Sequence, residues 1–122
     1  MIEINKTQGD INISLQAIAM GSQWNIVITG GAAHLGAVAL AIPRLSLSGS
    51  GKISASASVL SVTGHMDDEI ARPAALFFAK ELNQSVVVSC GIHYDQISAE
   101  AVQRIKKLVE ETQTEFLEKI RI

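Results

Sequence analysis

Three histidines in this chain stand close behind glycines, each at the end of a β-rich run. The segments are Thr29-Gly30-Gly31-Ala32-Ala33-His34-Leu35-Gly36, Thr63-Gly64-His65-Met66-Asp67-Asp68-Glu69 and Cys90-Gly91-Ile92-His93-Tyr94-Asp95. Glycine lets the backbone adopt conformations other residues avoid and lets a ligand approach closely. Strand ends of this kind commonly carry binding sites. A neutral imidazole donates one hydrogen bond and accepts another, and it becomes cationic beside an anion. A lone histidine next to a glycine is ordinarily a surface or capping residue. Three in the same setting predict that at least two share one site, built around His34, His65 and His93.

Several chemistries compete for that site. Three neutral imidazoles suit zinc with an open position, but no two histidines are close enough in sequence for one helix or turn to fix a ligand pair. Cys90 and His93 alone make a weak pair, and Cys90 reads more simply as a small buried residue at a strand end. The metal question stays open. No Gly-x-Ser-x-Gly elbow occurs. Ser48-Gly49-Ser50-Gly51 is a turn sequence. His65 with Asp67 or Asp68 is an acid–base candidate for a small lyase, although the same acids are accounted for by a helix start. Gly30 and Gly31 present backbone N–H groups to an anion, yet the motif is not a P-loop.

The elements that must position these residues follow from periodicity. Ile11, Ile13, Leu15, Ala17 and Ala19 alternate with mostly polar neighbours, and Trp24 to Thr29 is β-rich; together they predict a hairpin. Residues 35–42 are apolar throughout, as in a strand covered on both faces. Pro43 marks a bulge or an edge. A fourth strand over 53–63 puts Ser54, Ser56 and Ser58 on one side, with Leu60 and Val62 falling on that same side; a bulge or burial of both faces is expected there. From Asp67 the period becomes helical, ending near Asn83, with Pro73 demanding a late start or a kink. Residues 85–90 form a buried strand. Ser98 caps a final amphipathic helix. The expected class is α+β, a mostly antiparallel sheet with two helices in the order β-β-β-β-α-β-α, as one domain spanning residues 1–122.

Bulk properties narrow the function. The chain has 122 residues and is 48% hydrophobic, 18% charged and 4% aromatic, which supports one aliphatic core and argues against disorder. A small core of this kind often gains stability by self-association. The net charge of −2 and the lack of a basic cluster leave no footprint for nucleic acid. The longest apolar stretch, residues 35–43, is too short for a bilayer. One cysteine excludes an intrachain disulfide and fits a reducing compartment. No basic segment leads into an apolar run at the start, so the expected location is the cytoplasm.

Thr-Gly-Gly-x-x-His-Leu-Gly-Ala-Val, Gly-His-x-Asp-Asp-Glu and Gly-Ile-His-Tyr-Asp, in that order between Thr29 and Asp95, resemble the LpdD-like prenylated-flavin chaperones, small proteins encoded beside gallate-type decarboxylases. The resemblance implies a non-enzymatic protein that binds prenylated FMN and delivers or protects it for a decarboxylase of the UbiD type. It also implies a fold similar to that of proteasome-assembly chaperones, as a homodimer. By matching position the motif residues are Gly30, Gly31, His34, Gly64, His65, Asp68, Gly91 and His93. Leu35, Val38, Met66 and Ile92 flank the histidines and would supply apolar wall for a flavin. An assembly scaffold acting through its sheet edge or an exposed helix is the remaining reading.

Overall fold

The computed structural model describes residues 1–62 and 66–121. Its elements are β1 (Ile2–Gln8), β2 (Ile11–Met20), β3 (Gln23–Gly31), β4 (Ala37–Leu45), β5 (Ile53–Ser61), α1 (Asp68–Leu82), β6 (Val86–His93) and α2 (Ala99–Ile120). The six strands form one sheet in the order β1-β2-β3-β6-β4-β5. All neighbours are antiparallel except β3 and β6, which run parallel with Gly31 opposite His93. The mostly antiparallel α+β class is as expected. The anticipated order is present behind one further strand, β1, in which only Ile4 is fully buried; one buried position gives too little alternation to stand out.

Both helices lie on one face of the sheet. α1 covers β4, β5 and β6, and α2 covers β1 and β2. The strands answer with Ile13, Leu15 and Ala17 on β2, Ile26 and Ile28 on β3, Ala37, Ala39 and Ala41 on β4, and Val86, Val88 and Cys90 on β6, all buried. Alanines on β4 face Ala71, Ala74, Ala75 and Ala79 of α1 across the core, so helix and sheet approach closely. The few aromatics gather at one place. Phe116 of α2 meets Phe78 of α1 edge-on at 5.5 Å and Trp24 of β3 at 5.0 Å.

Local chemistry sets the element ends. Asn83 closes α1 in the left-handed region, at φ 51°, a conformation asparagine tolerates better than most residues. The Ser98 hydroxyl accepts from the Ala101 N–H and opens α2. Pro73 neither delays nor ends α1: it lies inside the helix, on an exposed position, where the Glu69 carbonyl left without its partner can be hydrated.

Two strand expectations are corrected. β4 is covered on one face only: Leu40 and Ile42 point away from the helices and are 42% and 53% exposed. β5 contains no bulge, because its register against β4 runs unbroken from Ala37↔Ser61 to Leu45↔Ile53. Leu60 therefore stays on the serine face, opposite Val38, and is 80% exposed.

The shared aromatic contacts make Phe116 the hinge pin between helices and sheet. Phe116→Ala is expected to reduce unfolding free energy by about 3–5 kcal/mol, measured as a lower urea midpoint with the helical circular dichroism signal retained at zero denaturant.

Candidate functional site

The end of the sheet where β3 and β6 finish and β4 begins carries the site. β3 ends at Gly31, and the chain then crosses over β6 before entering β4 at Ala37. The crossing loop is fastened by the Ala32 N–H donating to the His93 carbonyl (3.0 Å) and the Gly36 N–H donating to the Cys90 carbonyl (2.9 Å).

The glycines make this crossing possible. A side-chain carbon on Gly91 would overlap the His34 carbonyl, one on Gly31 would overlap the His93 carbonyl, and one on Gly36 would overlap the Asp67 carboxylate. Gly31 also takes φ +63°, which L side chains rarely adopt. Gly30 faces inward, against the Asn12 carbonyl and Ile13. The space beside each is occupied by the protein itself. Their role in this structure is to bring the histidine-bearing segments together.

His34 and His93 do share one place, with ring centroids 6.2 Å apart and planes at 81°. Each is aimed by a carboxylate. His34 Nε2 lies 3.0 Å from Asp67 Oδ2, and His93 Nε2 lies 2.9 Å from Asp95 Oδ1. His34 Nδ1 is 3.3 Å from the Ala32 carbonyl, so acceptors stand before both of its nitrogens. His34 is 24% exposed and His93 49%, which leaves His93 as the more accessible ring. Gly64 and His65 lie outside the described residues. Asp68 starts α1 and is only partly buried.

Asp67 does not serve the helix start that its position suggests. It precedes α1, yet its carboxylate makes no capping bond to the helix. It is 5% exposed and turns toward the sheet, where Oδ1 accepts from the Ile92 N–H at 2.9 Å and lies 3.9 Å from Cys90 Sγ. Its neighbours Asp68 and Glu69 are equally acidic, so nothing in the sequence singled it out. The Cys90 thiol is pushed far above the usual thiol range, first by burial and then by the adjacent Asp67 charge. Tyr94 fixes the last part of the frame: its hydroxyl donates to the Asn12 carbonyl at 3.0 Å and accepts from the Asn12 N–H at 2.7 Å.

Two concavities flank this strand end. On the helix side a cavity of about 200 Å³ lies among the start of α1, the end of β6 and the start of α2, with Ile70, Ile92, His93, Ile97, Val102 and Lys106 in its lining. On the open side of the sheet, Val27, Thr29, Ala33, His34, Leu35 and Ser89 line one of about 430 Å³. Met66 lines the first and Leu35 the second, and both are exposed. Among the described residues no three His, Cys, Asp or Glu side chains converge as a metal site, and no helix is long and apolar enough to cross a membrane.

Two outcomes follow from the carboxylate and the thiol. Asp67→Asn keeps an acceptor for the Ile92 N–H but turns an amide N–H toward His34 Nε2, so the His34 hydrogen should move to Nδ1; long-range ¹H–¹⁵N correlations of the ring report that tautomer. Cys90 should resist iodoacetamide in the native protein and react once urea unfolds it. Because its thiol is held protonated in the fold, stability should be insensitive to this group below the ordinary thiol pKa and fall as pH rises beyond it.

Comparison with known proteins agrees with this architecture. The chain is similar in fold to a protein in the crystal structure of a chaperone complex for yeast 20S proteasome assembly, with a TM-score of 0.51 and 17% identity over 93% of this chain and 96% of that one. No curated protein matches it in sequence. The family described as the prenylated flavin chaperone LpdD-like domain matches residues 7–121. That match takes in all three glycine–histidine segments and both helices, and the chain belongs to the LpdD-like prenylated flavin chaperone family.

Proposed function

We propose that this protein binds prenylated FMN reversibly and hands it, protected, to a decarboxylase of the UbiD type in the cytoplasm. The observation that carries the reading is the convergence of His34 and His93, each aimed by a carboxylate, with His93 in the lining of an aliphatic cavity at one end of the sheet. A flavin needs an apolar recess for part of its ring system and a few fixed polar groups for its edge and phosphate. The exposed His93 ring and the Lys106 ammonium can meet an anionic or carbonyl oxygen. When bound, the group supplies the electron-sink chemistry that the decarboxylase uses. This chain's residues hold, orient and shield it. No covalent tether is required, as suits a protein that must release its cargo.

The protein acts as a homodimer in this reading, joined through the open face of the sheet. Leu40, Ile42 and Leu60 on that face have no cover within the chain. Six strands about 4.8 Å apart and roughly 30 Å long offer roughly 700 Å² per protomer, close to the ~800 Å² per partner of a stable interface. A second copy also closes over the concavity beside His34.

Three outcomes test these statements. Protein purified from cells that co-express a flavin prenyltransferase should carry stoichiometric prenylated FMN by absorbance and ligand mass; a colourless, ligand-free protein refutes carriage. His93→Ala should weaken flavin binding by about tenfold, the loss of one hydrogen bond to a charged group, with melting temperature little changed; His34→Ala should weaken it as well, through loss of the Asp67 contact that sets the crossing loop. Leu40→Lys combined with Leu60→Glu should convert the dimer to monomer by light scattering; a wild-type monomer would refute the interface.

A further inference from the structure

The helix-side cavity bears on which flavin is held. Its volume of about 200 Å³ falls below the roughly 300–1,000 Å³ of sites that enclose a whole drug-sized ligand. It can therefore receive one part of a cofactor while the remainder stays outside. Its walls are aliphatic and come from four segments: Ile70 on α1, Ile92 on β6, Ile97 in the connecting loop, and Val102 and Ile105 on α2. The His93 ring, whose Nε2 faces Asp95, and the Lys106 ammonium share the lining with the carboxylates of Glu69 and Asp67. The Asp67 carboxylate is already engaged by His34 and the Ile92 N–H. Lys106 forms no ion pair among the described residues.

The space is a half-open cleft rather than an enclosed void, walled by aliphatic side chains that a ligand could cover. Replacing Val102 or Ile97 with an aromatic residue would fill it. The chain keeps the space.

We infer that this cavity receives the isoprenoid-derived ring of a prenylated flavin and so discriminates it from ordinary FMN. The inference rests on the flavin-binding reading above. The two flavins share the phosphate, the ribityl chain and the polar edge of the ring system, so contacts from His34, His93 and Lys106 cannot tell them apart. They differ by one branched aliphatic unit closed into an extra ring. Only an apolar recess of matching size separates them, through the methyl and methylene surface it removes from water.

The test is a pair of anaerobic titrations, with FMN and with reduced prenylated FMN, on the full-length wild type and on Ile97→Trp and Val102→Phe. The wild type should hold prenylated FMN at least about tenfold more tightly than FMN. Both substitutions should erase most of that preference, the larger loss of affinity falling on prenylated FMN. Ile97 is 37% exposed, so its replacement is compatible with folding; a retained melting temperature confirms this for each variant. Equal wild-type affinity for the two flavins overturns the slot, and so does a parallel loss of both in the variants. Either result leaves flavin carriage standing. A wild type that binds neither flavin overturns the carrier reading itself, and the slot with it.

Discussion

One buried carboxylate holds the working end of this molecule together. β4 joins β6 at Ala37↔Cys90, and the Gly36 N–H reaches the Cys90 carbonyl. Beyond that point β4 no longer pairs with β6, and the Ile92 N–H on that side finds no strand partner. A buried donor left unmatched costs about 1–3 kcal/mol, and Asp67 removes that cost by accepting it at 2.9 Å. The second oxygen of the same carboxylate then takes His34. A segment that must satisfy the backbone thereby also sets the orientation of a histidine, and it ties the start of α1 to the end of β6. The negative charge comes with a further consequence at Cys90, whose thiol is kept protonated by its surroundings.

The glycines belong to the same constraint. For the loop after β3 to lie across β6, backbone must pass where side chains would stand, and Gly31, Gly36 and Gly91 each vacate such a place. Read as sequence, glycine beside histidine suggests a ligand drawn close to the backbone. In the structure the close approach is made by the chain's own carbonyls and by Asp67. A loop packed this tightly is what delivers His34 to within 6.2 Å of His93.

Legibility tracked how much a residue's type reveals about its surroundings. The alternation in β2, the Ser98 cap and the end of α1 at Asn83 were readable because each depends on local periodicity or local hydrogen bonding. β4 was misread because alanine on the core face and leucine or isoleucine on the other are all apolar, so the period of two vanished. The open face looks like a core face in sequence. Leu60 is apolar on a serine-rich face, and no local rule distinguishes a bulge from an apolar residue left exposed. Asp67 was hidden among three consecutive acids, since its role depends on a gap between two strands far from it in sequence.

The site's position also follows from topology. Antiparallel neighbours in this sheet alternate direction, so most strand ends are tied off by short turns to the next strand. β3 and β6 are parallel, and their carboxyl ends leave the sheet side by side with no turn joining them. Gly31 and His93 stand opposite each other there. The chain must leave β3, build β4, β5 and α1, and return through β6, and three of the connections lie at this end: the His34 loop, the Asp67 turn and the Tyr94–Ser98 connection. Crevices at the carboxyl ends of parallel strands are where open sheets ordinarily receive ligands. In this protein one parallel pair within an otherwise antiparallel sheet is enough to create such a crevice, and the long connection between its two strands supplies the carboxylate that holds it in shape.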